Sequence, residues 1–300
     1  MYTKHKIIPD HTGLRIDKWF KLNIKKIPQS LVEKLLRNGK IKVNNLKVKS
    51  SYKLSSNDNV TVYNLRLEDN YNNKLKYFEP SKKDIKKNEK NIIFDNENYL
   101  VINKNAGIPV QGGTKSKKNL VDIYKKSSFF ENSKPYTVHR LDKETSGILI
   151  IAKNRQTAQF FTSLFRIRKI YKTYLSVCVG EFNKNKGEMK HTLARYEKNK
   201  IIKEDAITKF KVLDINQGYT FLELTPITGR KHQLRKQTSI LGYPIVGDSK
   251  YSTYKNKSLL LHSYSIKFIE KDKKISFYAP IPDIFKNFLK SKRLNFLNLK

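Results

Sequence analysis

Three hundred residues with 38% apolar content can close one or two ordinary cores, and 62 Lys+Arg against 26 Asp+Glu leave a formal charge of +36. Such an excess points to a polyanion, nucleic acid or an anionic membrane surface. No apolar run approaches the ~20 residues of a spanning helix, and the single cysteine, Cys178, excludes an intrachain disulfide and a cysteine-based zinc cluster. Most of the cations are lysine, and abundant Lys, Asn and Ile together suggest a genome biased towards A and T. That bias explains Lys in place of Arg, but not the excess of positive charge. The opening Met1-Tyr2-Thr3-Lys4-His5-Lys6 lacks the apolar segment of a signal peptide. The expectation is a cytoplasmic, monomeric protein whose partner is nucleic acid and not a membrane.

Residues 1–67 read as a small helical/β module. Ile16, Trp19 and Phe20 share one face of a first helix. Ser30 is placed to cap a second helix, with Glu33 at the capping-box spacing, Leu31, Val32, Leu35 and Leu36 apolar, and Gly39 at its end. Short strands are expected at 41–43 and 60–63, with Asn44-Asn45 as a turn. Lys18, Lys34, Arg37, Lys40 and Lys42 make the polar face basic. Residues 68–90 are polar and nearly free of core residues, and read as a flexible basic linker.

From residue 91 to 300 short apolar runs alternate with Gly, Pro and Asn. Strands are expected at 92–94, 99–102, 147–152, 174–179, 221–224 and 259–262, with helices at 119–126, 158–166 and 231–241 and a closing helix after Asp283. The pattern predicts an α+β chain whose larger domain is a mixed, largely antiparallel sheet with flanking helices.

Within it, His139-Arg140-Leu141-Asp142-Lys143-Glu144-Thr145-Ser146-Gly147 lies between two strand-forming segments. The loop presents one carboxylate, Asp142, with Arg140 before it and Thr145 after it. His-Arg-Leu-Asp superficially matches a shuffled kinase catalytic loop, but the chain has no Gly-rich nucleotide loop, Asp-Phe-Gly or Ala-Pro-Glu. His139, His232 and His262 are too scattered for a metal site, so no metal is expected.

Four further segments accompany that loop. They are the strand and Gly-rich loop from Asn98 to Gly113 (through Asn103-Lys104-Asn105-Ala106-Gly107 and Gln111-Gly112-Gly113), Lys172-Thr173-Tyr174-Leu175, Thr228-Gly229-Arg230-Lys231-His232-Gln233-Leu234-Arg235, and Gly242-Tyr243-Pro244-Ile245-Val246-Gly247-Asp248. In this order and spacing the region from Ile92 to Pro282 resembles the RluA family of RNA pseudouridine synthases. The front segment, from Arg15-Ile16-Asp17-Lys18-Trp19 to Gly39-Lys40-Ile41-Lys42-Val43-Asn44, resembles the RNA-binding module first described in ribosomal small-subunit protein four. Together they look most like the type that modifies bacterial large-subunit ribosomal RNA. The chain departs from the family at Asn105 (usually Pro), Lys231 (usually Thr or Ser) and Lys236-Gln237 (usually Val-His).

The resemblance implies a definite chemistry. Uridine becomes pseudouridine when the N1–C1′ bond breaks, the uracil rotates and C5 bonds to C1′, with no group added and no redox change, so no cofactor is expected. The target base must first leave its stack. By resemblance, Asp142 acts at the sugar or the base, as proton acceptor or nucleophile. Tyr174 stacks on the extracted uracil and Arg235 pairs with Asp142. Arg140 fills the vacated space, and His139, Thr145 and Arg230 contact substrate. Two alternatives stay open: a synthase acting on transfer RNA, and a non-catalytic RNA-binding or ribosome-assembly protein on the same fold.

Overall fold

The computed structural model describes residues 2–25, 27–63, 78–112, 118–197, 200–254 and 258–297. The chain divides into two compact units, Met1–Tyr77 and Phe78–Lys300.

In the first unit, β1 (Tyr2–Lys6), β2 (Ile41–Val43) and β3 (Asn59–Tyr63) form an antiparallel sheet in the order β1-β3-β2. Helix α1 (Ile16–Asn23) contributes Ile16, Trp19 and Phe20 to a core shared with Val32 and Leu36 of α2 (Gln29–Arg37) and Ile41, Val43, Val60 and Val62 of the sheet. Asn44 and Asn45 adopt left-handed φ values of 48° and 65°, and Val43 and Leu46 exchange backbone hydrogen bonds across them, which makes the expected two-residue turn. Gly39, at φ 69°, ends α2, with amide bonds from Gly39 to Leu36 and from Lys40 to Leu35. The other end differs from expectation. Pro28 stands at the cap position, without a side-chain cap, and Ser30 lies inside the helix. The fixed φ of proline sets the chain's direction there, and the Gln29 amide bonds Asp17 and Glu33. Strand β1 was not expected: its side chains are mostly exposed, and it is held by backbone pairing with β3.

The second unit is built on a ten-stranded sheet. Its strands are β4 (Ile92–Asp95), β5 (Tyr99–Lys104), β6 (Tyr136–Thr137), β7 (Ser146–Ala152), β8 (Tyr171–Val179), β9 (Lys186–Glu197), β10 (Lys200–Asn216), β11 (Tyr219–Pro226), β12 (Leu261–Glu270) and β13 (Lys273–Tyr278). They run in the order β4-β5-β7-β12-β8-β11-β10-β9, with β6 beside β7 and β13 beside β12. Among the described residues only β7 and β12 pair in parallel. Helices α3 (Lys82–Glu89), α4 (Leu120–Tyr124), α5 (Arg155–Arg166), α6 (Gln233–Ile240) and α7 (Asp283–Ser291) cover the faces. Alternation along β7 shows why its whole apolar run is needed. Ile148 and Ile150 face Phe161 of α5, while Leu149 and Ile151 face Leu120 and Tyr124 of α4. On the remaining strands Leu175, Val177 and Phe221 pack against Phe285 and Leu289 of α7, and Cys178, Leu222 and Leu224 against Leu234 of α6. Among the described residues no helix is long and apolar enough to cross a membrane.

One expectation needs correction, and one large element was not expected. Residues 68–77 of the expected linker lie outside the described residues, but its C-terminal part is helix α3. Ser81 accepts a bond from the Asp84 amide and caps that helix, whose buried Asn88 supplies the carbonyl that the Tyr124 hydroxyl bonds. A helix held by one capped end and one inner face needs few apolar residues, so composition alone did not reveal it. The hairpin of β9 and β10, continuous in register from Lys200↔Glu197 to Lys211↔Lys186, was also missed because lysines and acids interrupt its apolar positions.

Gly147 allows the parallel contact of β7 with β12. Its φ is 109°, and a Cβ built there would lie 2.2 Å from the Ser263 carbonyl oxygen and 2.6 Å from its nitrogen. One residue earlier, the Ser146 hydroxyl bonds Nδ1 of buried His262, at 2.9 Å, and His262 Nε2 donates to the Ala279 carbonyl.

Candidate active site

Asp142 stands on the loop between β6 and β7, and the loop is shaped by its backbone. Lys104, at the end of β5 and fully buried, donates from Nζ to the carbonyls of Asn105 (2.9 Å), Lys143 (3.0 Å) and Thr145 (2.7 Å). Three acceptors match the three N–H groups of an ammonium. Burial nevertheless pulls Lys104 down to about 7, against the opposing charges of Glu144 and Asp142. The Gly107 amide donates to the Lys143 carbonyl, and the Thr145 amide to that of Asp142. Leu141 plugs the core beside Leu149.

His139 was expected to contact substrate. Its ring borders the cleft, but Nε2 accepts the Ile150 amide at 2.9 Å and the ring stacks on Phe165, 4.7 Å between centroids. Its polar contact therefore fixes the loop to β7 and its ring contact fixes it to α5. Burial lowers His139 to about 3, helped by the Lys172 charge, and lowers His262 to about 4. Both rings are neutral when folded but bind a proton below about pH 6.5 when unfolded, so the folded state loses stability as pH falls from about 6.5 towards 4. Thermal melts should give a lower midpoint at pH 5 than at pH 7.5, and equal midpoints would contradict this.

The Asp142 side chain is the projecting part of this rigid loop. Among the described residues nothing hydrogen-bonds its carboxylate, which is flanked by Nη1 of Arg235 at 3.6 Å and Nε2 of His232 at 3.7 Å. Arg235 was expected to pair with Asp142, but its close partner is Asp248, through Nε–Oδ2 and Nη2–Oδ1 bonds of 2.7 Å each. Burial opposes both charges. The paired bonds outweigh it, raising Arg235 and lowering Asp248 from their usual values. Asp248 also accepts the Lys250 and Tyr251 amides. The guanidinium is thus fixed by Asp248 and supplies Asp142 with a nearby charge, not a tight bond.

Tyr174, on β8, lines the same cleft. Burial pushes its phenol up to about 12, despite a hydrogen bond with Ser263, so the ring stays uncharged. The cleft encloses about 1380 Å³ and is open to solvent, more than the roughly 300–1,000 Å³ of a small-molecule pocket. It suits a piece of polymer. Arg140 is exposed at its edge, and Thr145 is buried at its floor. Arg230 also lines it, bonding the Asp205 carbonyl and Glu204. In the other unit Lys18, Lys34, Arg37 and Lys40 are exposed, and Lys42 is half-buried with its ammonium 5.4 Å from the Tyr63 ring centre.

His232 was considered as a metal ligand and set aside. It borders Asp142, with Nε2 3.7 Å from the carboxylate and Nδ1 3.0 Å from the Tyr251 hydroxyl. Its left-handed φ of 53° opens α6. Burial lowers its proton affinity, only partly offset by Asp142. The three-residue spacing of His232 and Arg235 at the start of a helix was the available signal. Lys104 had none beyond its place at a strand end.

A family model described as RNA pseudouridylate synthase matches residues 98–239. The ribosomal large subunit pseudouridine synthase C of Rickettsia felis is 35% identical over 294 residues, covering 90% of this chain and 94% of that one. The protein of the same name from Buchnera aphidicola subsp. Schizaphis graminum is 33% identical over 301 residues, covering 93% and 94%. Among solved structures, human RNA Pseudouridylate Synthase Domain Containing 4 superposes with a TM-score of 0.62 at 26% identity, over 71% of this chain and 97% of that chain.

Proposed function

Because the chain belongs to the RluA family of RNA pseudouridine synthases, we propose that it isomerises uridines in large-subunit ribosomal RNA, with Asp142 acting on a uridine drawn out of its stack. The observation that carries this is the Asp142 carboxylate. It has no hydrogen bond of its own among the described residues, and it stands on a backbone-braced loop beside a charge fixed by Asp248. A carboxylate so placed is free to engage C1′ or a ribose proton without first breaking an internal bond. Tyr174, uncharged and on the cleft wall, offers a face for the uracil, a contact worth roughly 1–3 kcal/mol. Arg140, exposed at the edge, is available to fill the space the base leaves. The reaction rearranges bonds within one nucleotide, so it calls for no cofactor.

Ribosomal RNA is favoured over transfer RNA by relatives named for the large subunit that match over nearly their full length. The basic face of the first unit, like that of the ribosomal-protein module it resembles, supplies the means to hold a large folded RNA. The reading is tested by mapping pseudouridines across ribosomal and transfer RNA from cells with and without the gene. Sites lost only from large-subunit RNA support it, and sites lost only from transfer RNA overturn the substrate assignment.

The two units predict a division of labour. A chain lacking residues 1–77 should fold and retain slow activity at high RNA concentration. Its RNA affinity should be weaker, with a flatter salt dependence, because each lost phosphate contact lowers the log–log slope by roughly 0.7–0.9. Binding measured from low to moderate salt checks this, and an unchanged slope would count against the first unit as an RNA contact.

A further inference from the structure

The cleft holds a group of cations with no acid to answer them. Lys172 stands two residues before Tyr174 on β8, so both side chains leave the same face of the strand, and both line the cleft. Lys172 is half-buried, and burial draws its ammonium below the usual lysine range. Its charge is felt at His139, the ring stacked on Phe165 of α5. Arg166, in the last turn of that helix, and Arg168, whose left-handed φ of 59° turns the chain out of it, line the same cleft.

Among the described residues, Lys172, Arg166 and Arg168 have no carboxylate within 4.0 Å and no side-chain hydrogen bond. Arg140, at the cleft edge, likewise has no carboxylate within 4.0 Å among the described residues, whereas Arg195 and Arg230 share Glu204, at 3.0 and 2.8 Å, and Arg235 holds Asp248. A half-buried ammonium without a counter-ion loses hydration and gains nothing in the free protein. An anionic ligand would restore the balance through charge-assisted bonds. Genomic drift towards lysine accounts for lysines on the solvated surface, but not for one desolvated in a cleft.

Two residues along a strand span about 6.6 Å, comparable to the reach from a nucleobase across its ribose to a phosphate. We propose that Lys172, with Arg166 and Arg168, forms a binding site for a phosphate adjoining the uridine engaged by Asp142 and Tyr174. The site rests on the uridine-isomerising reading above.

The test is a double-substitution cycle between protein and RNA. The protein is the full chain or K172M, and the RNA is a hairpin around a mapped target uridine with one uncharged methylphosphonate on its 5′ or 3′ side. The uracil is the same in each RNA, so a contact from Lys172 to a base carbonyl would not respond. For the native chain one of the two methylphosphonates should lower kcat/KM by roughly 10- to 100-fold, the range for a hydrogen bond to a charged group. K172M should show a similar loss on unmodified RNA, and little further loss with that methylphosphonate. Losses that multiply in full, or a native chain indifferent to both methylphosphonates, overturn the site. If K172M fails to fold by circular dichroism, R166Q carries the same cycle. If the native chain forms no pseudouridine in any ribosomal RNA, the underlying reading fails, and the same cycle run on Kd with a large-subunit RNA fragment still decides the phosphate contact.

Discussion

Asp142→Asn should bind RNA about as tightly as the native chain and form no measurable pseudouridine. The substitution changes a carboxylate to an amide of nearly equal size. The loop's shape does not depend on that side chain. Its carbonyls converge on Lys104, His139 is tied to Ile150, and Leu141 is seated in the core. Arg235 remains paired with Asp248, so no buried charge is stranded. The loss should therefore fall on the chemical step, on the order of 10⁴-fold or more, as for other groups essential to bond-making. Pseudouridine formation on a fixed transcript, measured beside an RNA-binding titration, separates the two effects. Turnover within about tenfold of native would remove Asp142 from its assigned role.

The second large effect is structural. Gly147→Ala should leave the second unit poorly folded, because the added Cβ meets the backbone of Ser263 and not a movable side chain. Ser263 cannot simply retreat, since it pairs on its other side with Tyr174 of β8. The φ of 109° adds strain for any residue with a side chain. A cost of about 4 kcal/mol or more places this among exceptional single substitutions and corresponds to melting about 10 °C or more earlier. A variant that melts with the native chain would show that β7 and β12 can part at Gly147 at little cost.

Much of the fold was legible because apolar periodicity records burial. Ile148 to Ala152 is apolar throughout because β7 is covered on both faces, and Asn119 and Gly39 mark helix ends through the bonds and backbone angles they supply. Strands such as β1 and β9 were less legible, since their stability comes from backbone pairing that any side chain permits. In the candidate site, the loop and its carboxylate could be read from one contiguous segment. The partnership of Arg235 with Asp248 could not, because two carboxylates compete for one guanidinium and only three-dimensional geometry decides between 2.7 and 3.6 Å. His232 was passed over for a similar reason. Its place beside Asp142 depends on a left-handed turn that sequence does not announce in a histidine.

The convergence of three carbonyls on Lys104 bears on how this loop can vary. Since the loop is gripped through its main chain, the identity of Lys143, whose side chain only approaches that of Glu144 at 3.7 Å in solvent, is nearly free to change, while Glu144 keeps a negative charge near the Lys104 ammonium. The loop's length is not free. One residue inserted or deleted between Asp142 and Ser146 would shift the Lys143 and Thr145 carbonyls off the ammonium and move Ser146 out of reach of His262. Substitutions should therefore accumulate in this segment while insertions and deletions are excluded, a tolerance to spelling without tolerance to spacing.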